Sequence, residues 1–329
     1  MKSDNLALPA EAIISVTNRC DARCQMCNIW RLPRDEFLKA DDYRKLPRTL
    51  KNVNVTGGEA LLRPDIHDII LSIYEAADHP RIILATNGFR PEMTVRQVER
   101  LLRVIPDLGI AVSMDGDPEM HNQIRGVPNA AKRALRTLEG LIALGIKDLR
   151  VGFTAIHRNV EHLPYVYDLA NHLGVEFVAT IAQKSDTYYA IQNLPELDME
   201  KLAEGMNYVI DRQLRSARVK NWFRAFFAHG VVEFARTGKR ITTCSAAEDF
   251  FFLSPQGDVY PCLTLPEKIG NIRNSRFEDI WYSRERKEIR EKTRYCTDCW
   301  MMCTARTELR KNPLPALKWI AREKLARAR

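Results

Sequence analysis

Short apolar runs alternate with longer amphipathic segments through the first half of the chain. The runs are rich in β-branched residues, which is typical of buried strands, and the longer segments repeat apolar positions at helical spacing. The predicted strands cover residues 13–16, 53–56, 82–86, 110–114, 149–154 and 175–182. The predicted helices cover residues 63–77, 94–104, 129–144 and 163–173.

This alternation of strands and helices predicts an α/β fold built on a parallel sheet with right-handed crossovers. Periodicity alone fits a partial (β/α)6 TIM-like barrel and a doubly wound open sheet equally well. Both folds bind ligands at the carboxyl ends of their strands, so the residues that follow each strand are the first candidates for a site.

Polar residues and glycines do follow several of the predicted strands. They are Gly57, Gly58 and Glu59 after the second strand, Asn87 after the third, and Ser113 and Asp115 at the end of the fourth. Glycine lets a backbone approach a ligand closely, and a carboxylate can pair with an ammonium group. Taken one at a time, Asn87-Gly88 and Asp115-Gly116 also fit ordinary turns.

Three of the eight cysteines, Cys20, Cys24 and Cys27, follow the first predicted strand with the spacing C-x3-C-x2-C. Three thiolates on a four-iron cluster leave one iron free to bind another molecule. Zinc with a distant fourth ligand, or free thiols, fits this triad about as well.

The other five cysteines lie near the carboxyl terminus, around a predicted β-hairpin over residues 250–261 whose turn contains Gly257. They are Cys244, Cys262, Cys296, Cys299 and Cys303. Clustered cysteines in a cytosolic chain indicate metal ligation more than disulfides. A zinc ribbon remains an alternative, because two cysteine pairs can hold a tetrahedral zinc.

Composition indicates a globular protein: 45% of the 329 residues are hydrophobic and 28% are charged. No run approaches the roughly 18 apolar residues that span a bilayer, and residues 1–10 lack a signal pattern, so we expect a cytoplasmic protein. The net charge of +8 favours an anionic partner. No nucleic-acid-binding module is recognisable, so no nucleic-acid partner is expected.

Much of the excess positive charge lies in residues 306–329. Apolar residues alternate there with Lys318, Arg322, Lys324, Arg327 and Arg329. The pattern predicts a basic amphipathic helix, which could make peripheral contact with an anionic membrane or pack on the protein with a solvated basic face.

The cysteine triad, together with Gly57-Gly58-Glu59, resembles the radical S-adenosylmethionine (radical SAM) superfamily. The segment Ile124-Arg125-Gly126 is also similar to this family. The resemblance implies a partial barrel over residues 10–183 in which Cys20, Cys24 and Cys27 hold a [4Fe-4S] cluster. That cluster binds SAM and cleaves it reductively to a 5′-deoxyadenosyl radical.

The same resemblance implies cofactor-binding roles for several residues. Gly57, Gly58 and Glu59 would contact the SAM amino group, and Ser113 and Asp115 would lie near its carboxylate or ribose. Asn87 belongs to the same set of strand ends. Met26 stands where the family often has an aromatic residue near adenine, and its thioether can fill that space.

The spacing C-x12-G-x4-C followed by C-x2-C resembles the auxiliary-cluster extension called SPASM, or twitch in its short form. Four of the five cysteines would bind one auxiliary [4Fe-4S] cluster, and Cys244, Cys262, Cys296 and Cys299 match best. Cys303 could replace one of them, or it could return a hydrogen atom to a substrate radical. Residues 184–243 would form a helical connector, residues 244–305 the cluster domain and residues 306–329 the basic helix.

The resemblance therefore implies an enzyme that needs a reducing partner such as flavodoxin or ferredoxin. We expect an oxidoreductase or epimerase acting on a sugar, a glycan or a related anionic metabolite. Peptide modification is the alternative, ranked second because the sequence shows no separate leader-binding domain. A zinc-binding nucleic-acid adaptor is the third reading.

Overall fold

The computed structural model describes residues 7–327. Two predictions therefore fall partly outside the described residues: the absence of a signal pattern, at residues 1–6, and the basic tail, at Arg329. Six strands lie side by side and parallel in one sheet. They are β1 (Glu11–Ser15), β2 (Asn52–Thr56), β3 (Arg81–Thr86), β4 (Gly109–Ser113), β5 (Leu149–Ala155) and β6 (Glu176–Ile181). Each of the six predicted strands is confirmed, with its ends within two residues of the prediction.

The order of the strands decides between the two α/β architectures. A doubly wound sheet reverses its strand order at a switch point. Here β1 to β6 follow one another without reversal, which is the order of an open, partial barrel. Ser15 at the end of β1 pairs with Thr56 at the end of β2, so the loops that follow the two strands start at the same level.

Five helices accompany these strands, together with short 3₁₀ helices at Ile29–Arg31, Ala40–Lys45, Ala60–Leu62 and Val160–His162. The helices are α1 (Ile66–Ala76), α2 (Pro91–Leu102), α3 (Pro118–Arg125), α4 (Ala130–Ala143) and α5 (Leu163–His172). The four predicted helices are confirmed, whereas α3 was not predicted. The Asp117 side chain caps its start and Gly126 ends it in the left-handed conformation, so the signals for a short helix are present in the sequence.

The core forms where the apolar stripes of these helices cover the sheet. On α1, Ile66, Ile69 and Ile73 are buried at helical spacing and belong to the same cluster as Val55 of β2 and Leu84 of β3. Each such side chain stabilises the fold by about 1.5–3 kcal/mol when it is fully buried. This packing fixes the strands and therefore holds their carboxyl ends in place.

The carboxyl-terminal hairpin extends the same sheet. Its strands are β7 (Phe250–Leu253) and β8 (Asp258–Tyr260), and a short strand β9 (Gly270–Asn271) follows. The hairpin was predicted, with Gly257 at φ +93° in its turn. The position of the hairpin in the sheet was not predicted. Its first strand, β7, pairs in parallel with β1, on the side of the six-stranded sheet opposite β6. Arg310 also pairs with the buried Glu11 of β1 at 2.8 Å, so the cysteine-rich extension is tied directly to the barrel.

The remaining helices are α6 (Met199–Arg215), α7 (Val219–Thr237), α8 (Phe277–Trp281), α9 (Arg284–Thr293), α10 (Met302–Lys311) and α11 (Leu314–Arg327). Helices α6 and α7 lie within residues 184–243, the predicted connector. The basic helix α11 packs against it: Trp319 stacks on His229 with 4.8 Å between ring centroids. Lys324 donates to the Leu214 carbonyl at 2.6 Å and lies 4.0 Å from the centre of the Trp222 ring. These contacts favour a packed helix over one that rests on a membrane.

Within residues 7–327, no helix combines the length and the apolar character needed to cross a membrane.

Candidate functional site

Cys20, Cys24 and Cys27 lie in the loop after β1, and all three border one cavity of about 230 Å³ at the carboxyl ends of the strands. The same cavity is bordered by five of the predicted cofactor-binding residues: Met26, Gly57, Gly58, Asn87 and Ser113. Residues that are distant in the sequence therefore meet where the parallel strands end, as the strand-end argument requires.

The three thiols are free and lie in a poorly solvated environment. Burial raises the pKa of Cys20 and that of Cys27 to about 12. A thiolate is therefore costly at these positions unless a cation compensates its charge, and cluster iron would supply that charge. A donor set made of thiols alone, beside an open cavity, fits a cluster that keeps one iron available for a small ligand.

Gly57 and Gly58 allow the end of β2 to pack closely against the backbone that leads into the cysteine loop. The Gly58 amide donates to the Thr17 carbonyl at 2.7 Å, and the Glu59 amide donates to the Arg19 carbonyl at 2.8 Å. A Cβ atom on Gly58 would lie 2.3 Å from the Arg19 carbonyl oxygen, and one on Gly57 would lie 2.6 Å from the Thr17 oxygen. Only glycine allows this approach without moving the chain that leads into Cys20.

Glu59 is buried, and its carboxylate binds to the protein itself. It accepts hydrogen bonds from the Thr86 hydroxyl at 2.9 Å, the Asn87 amide at 2.7 Å and the Leu61 amide at 3.3 Å. Burial raises the pKa of Glu59 to about 7, against the opposing effect of the hydrogen bonds from Asn87 and Thr86. The carboxylate thus joins the end of β2 to the end of β3, and its contact with the SAM amino group stays a prediction.

Asn87 connects this network to the cysteine loop. Its side-chain amide donates to Asp21 at 2.8 Å, and Arg90 donates to the other Asp21 oxygen at 3.1 Å. Since Asp21 lies between Cys20 and Cys24, these two bonds fix the loop against the end of β3.

Asp115 is fully buried and pairs with Arg125, with 2.6 Å between Oδ2 and Nη2. Arg125 also donates to the Cys24 Sγ at 3.6 Å and borders the cavity. The Asp115 carboxylate accepts a further bond from the Thr154 amide at 2.9 Å. Asp115 therefore orients a cation beside a predicted cluster ligand, and its predicted place near the SAM ribose or carboxylate is not tested by these contacts.

The five carboxyl-terminal cysteines also come together. Cys244, Cys262, Cys299 and Cys303 are buried, and Cys296 is half-buried. Burial is the main cause that raises the pKa of Cys296 to about 11, and nearby Cys244 and Cys262 contribute to the rise. Burial also raises the pKa of Cys299, with contributions from Cys262, Cys244 and Cys303. Each of the five thiols therefore lies within electrostatic range of at least one other.

One apolar cluster joins the two groups of cysteines. Cys20 and Cys27 pack against it on one side, and Cys244, Cys262 and Cys303 belong to it. Its other members are Ile13, Ile29, Tyr188, Ala246, Phe250, Phe252 and Leu263.

Tyr188 and Tyr189 were not identified from the sequence, yet both border the cavity. Their ring centroids are 4.7 Å apart, and the Tyr188 hydroxyl is 2.8 Å from that of Thr56. They follow β6 in an irregular segment, where hydrophobic periodicity gives no signal for a site residue.

A second, outer cavity of about 690 Å³ is adjacent to the first, since Ile181, Ala182 and Gln183 border both. Its wall combines apolar side chains with amides and a few charges. The charged and titratable residues are His157, Lys184, Glu196 and Asp298. The end of β6 therefore forms a wall common to the two cavities.

Among residues 7–327, no three cysteine, histidine or acidic side chains are grouped closely enough to hold a single metal ion.

Comparisons with known proteins agree with the thiol-rich geometry. The model of the radical SAM superfamily matches residues 14–170, and that of the SPASM iron-sulfur cluster-binding domain matches residues 244–300. The chain is 29% identical over 250 residues to the AdoMet-dependent heme synthase of Methanosarcina barkeri. The aligned region covers 70% of this chain and 68% of the synthase. It is also 23% identical over 299 residues to AlbA, the antilisterial bacteriocin subtilosin biosynthesis protein of Bacillus subtilis. That aligned region covers 85% of this chain and 61% of AlbA.

Among solved structures, Streptococcus suis SuiB bound to S-adenosylmethionine superposes with a TM-score of 0.68 at 18% identity. The match covers 88% of this chain and 69% of SuiB, and it supports the fold. The chain therefore contains a radical SAM domain followed by a SPASM domain. These two domains imply a SAM-binding [4Fe-4S] cluster, SAM and auxiliary iron-sulfur clusters as cofactors.

Proposed function

We propose that this radical SAM enzyme abstracts hydrogen from a peptide substrate that reaches the cysteine loop through the outer cavity. A four-iron cluster on Cys20, Cys24 and Cys27 would supply the electron that cleaves the carbon-sulfur bond of SAM. Gly57, Gly58, Asn87, Ser113 and Met26 would position SAM within the inner cavity.

The observation that carries the proposal is the wall of the outer cavity. Leu194, Pro195 and Leu197 offer apolar contacts, and Gln25 and Gln192 offer amide donors and acceptors. Amides of this kind suit the alternating donors and acceptors of a peptide backbone, and apolar pockets suit its side chains.

Charge separates this proposal from the expected anionic sugar or glycan. The chain carries a net charge of +8, but the outer cavity sets Lys184 and the titratable His157 against Glu196 and Asp298. The Arg125 cation, at the inner cavity, is already paired with Asp115. A phosphorylated or otherwise anionic substrate would gain little from this lining, so we rank a peptide above a sugar and reverse the order expected from composition.

The two curated relatives define the competing substrate classes. AlbA takes part in bacteriocin biosynthesis, which supports the peptide reading. The heme synthases make a tetrapyrrole the second candidate, since several apolar side chains of the outer cavity could also cover a flat, largely apolar ring. Epimerisation or dehydrogenation of a sugar is the third.

For the second site we propose that Cys244, Cys262, Cys296 and Cys299 bind one auxiliary cluster and that Cys303 remains a free thiol. Cys244 and Cys262 both contribute to the raised pKa of Cys296 and to that of Cys299. Cys303 belongs to the shared apolar cluster, and the charged groups that influence its pKa include Arg306 and Glu11 as well as Cys262. A free thiol there could return a hydrogen atom to a substrate radical, which is the role expected for Cys303.

The test uses anaerobically reconstituted enzyme, a chemical reductant and SAM. Three probes are compared: a degenerate library of ten-residue peptides, a set of nucleotide sugars, and a tetrapyrrole. Formation of 5′-deoxyadenosine is measured against the substrate-free level, and products are examined by mass spectrometry. The variant Leu194→Arg narrows the outer cavity, and Val219→Arg, at an exposed position on α7, is the matched control.

We expect the peptide library alone to stimulate SAM cleavage and to gain modified members. Leu194→Arg should lose the stimulation and keep the substrate-free rate, while Val219→Arg behaves as wild type. Stimulation by the sugars or the tetrapyrrole without any by peptides would overturn the peptide assignment and leave the radical SAM assignment intact. Failure of SAM cleavage in every sample would instead contradict the catalytic role of the cysteine loop.

A further inference from the structure

A basic cleft of about 570 Å³ lies on the outside of the barrel, between the start of α2 and the start of α4. Its wall carries five basic side chains and one acidic side chain. These residues are Arg90, Arg96, Lys132, Arg133, Arg136 and Glu92. The cleft is separate from the two cavities of the proposed substrate path.

Only part of this positive charge is neutralised within the protein. Arg136 pairs with Glu92 at 2.7 Å, and Arg90 pairs with Asp21 at 3.1 Å. Arg96, Lys132 and Arg133 are exposed, and none of them forms an ion pair with another residue of the part that the structure describes. Three uncompensated cations around one concave surface create a local positive potential that attracts an acidic partner.

The cleft is next to the cysteine loop. Phe89, which lines the cleft, is buried and packs with Ala22 and Ala130 in a small apolar cluster. Cys20 and Cys24 pack against the same cluster. This cluster therefore contacts both the basic surface, through Phe89, and two of the three thiols. The ion pair from Arg90 to Asp21 also links the rim of the cleft to the loop itself.

We propose that this basic cleft is the docking surface for an acidic electron-transfer protein, one that carries a flavin or an iron-sulfur centre. The inference rests on the proposed radical SAM function, which requires one electron for each reductive cleavage of SAM. One electron leaves the reduced centre of the donor, which is oxidised by one unit, and passes to the group held by the cysteine loop, which is reduced by one unit. No covalent bond changes in this step.

Position and charge both favour a protein donor at this face. Complementary charge raises the rate of encounter and fixes the orientation of the partner, which electron transfer needs more than high affinity. The proposed substrate path lies elsewhere, between β5, β6 and the carboxyl-terminal extension, so a donor at the cleft and a substrate in the outer cavity can be bound together.

The experiment reverses the three free charges in one variant, Arg96→Glu/Lys132→Glu/Arg133→Glu. A matched control reverses three exposed basic residues away from the cleft, and its changes are Arg48→Glu, Lys51→Glu and Lys287→Glu. Both variants change the net charge equally. Reconstituted holoenzyme is titrated calorimetrically with an acidic flavodoxin and an acidic ferredoxin, at ionic strengths of about 0.05 M and about 0.3 M. The rate of cluster reduction by each donor is followed optically.

We expect the cleft variant to bind at least one of the donors about tenfold or more weakly than wild type at low salt, and to be reduced correspondingly more slowly. Wild-type binding should weaken with salt, and the variant should show little salt dependence. SAM cleavage driven by dithionite, which needs no protein contact, should stay at the wild-type level in both variants.

Equal binding of both donors by the cleft variant and wild type would overturn the proposal, as would an equal loss in the control variant. Binding of free phosphate or a nucleotide at the cleft, without any effect of the charge reversal on the donors, would assign the site to a small anion and also overturn it. Loss of dithionite-driven cleavage in wild-type enzyme would contradict the proposed function instead, so the two failures are distinguishable.

Discussion

The substitution Gly58→Ala tests how the end of β2 holds the cysteine loop. The added methyl group would lie 2.3 Å from the Arg19 carbonyl oxygen, 2.7 Å from the Arg19 carbonyl carbon and 2.8 Å from the Cys20 Cβ. Carbon-oxygen contacts in proteins become comfortable only at about 3.3 Å, so the chain before Cys20 must retreat by about 1 Å. The obstacle is backbone, which cannot rotate away as a long side chain could.

This shift of the backbone before Cys20 destabilises the fold in two ways. Overpacking a well-packed site costs about 1–3 kcal/mol. The hydrogen bond from the Glu59 amide to the Arg19 carbonyl, 2.8 Å in the native structure, would also stretch or break, at about 0.5–1.5 kcal/mol. We therefore expect a total destabilisation of about 1.5–4.5 kcal/mol, concentrated on the loop that carries the three thiols.

Iron content and urea denaturation check this prediction. The reconstituted Gly58→Ala protein should lose about half of its iron, because the auxiliary cysteines lie elsewhere, and should lose SAM binding by equilibrium dialysis. Gly152→Ala in β5 is the matched control, since its added methyl would have no heavy atom within 4 Å. Wild-type iron content together with wild-type SAM affinity in the Gly58→Ala protein would refute the idea that close packing at the two glycines holds the cysteine loop in place.

Three further predictions concern the cysteines and the tail. Replacing all three cysteines of the 20–27 loop with alanine should remove about half of the iron and all SAM cleavage; unchanged iron, or stoichiometric zinc, would contradict the catalytic assignment. Cys296→Ser should lower the auxiliary iron while Cys303→Ser retains it, and the opposite result by iron analysis would make Cys303 a ligand. Deleting residues 312–329 should lower the melting temperature, because Trp319 is buried against the connector; strong, salt-sensitive sedimentation of the intact protein with anionic vesicles would instead favour a membrane role for the tail.

Local sequence patterns were sufficient for most of the secondary structure and for locating the two groups of cysteines along the chain. Strand runs, helical spacing and the C-x3-C-x2-C motif are properties of short segments, so they can be read without knowing which segments touch. The hairpin around Gly257 is equally local, because a turn with positive φ is specified by the residues within it. Even the meeting of Cys20, Gly58 and Asn87 follows from the general rule that parallel strands end on one side of a sheet.

The tertiary structure alone decided how distant segments are joined. The parallel pairing of β7 with β1 connects residues that are more than two hundred positions apart, and no short-range pattern encodes such a partner. That pairing brings the second group of cysteines to the apolar cluster that also contacts Cys20 and Cys27. The sequence could name both groups of cysteines but could not place them side by side.

The same limit applies to charges. In the sequence, Glu59, Asp115 and Arg125 are simply charged residues, and any of them could face a ligand. The fold buries all three: Asp115 pairs with Arg125, and Glu59 accepts three hydrogen bonds from the protein, because a polar group buried without partners is costly. Whether a charged side chain contacts a ligand or supports its neighbours depends on which partners the fold brings within reach, and this was decided only when the whole chain had packed.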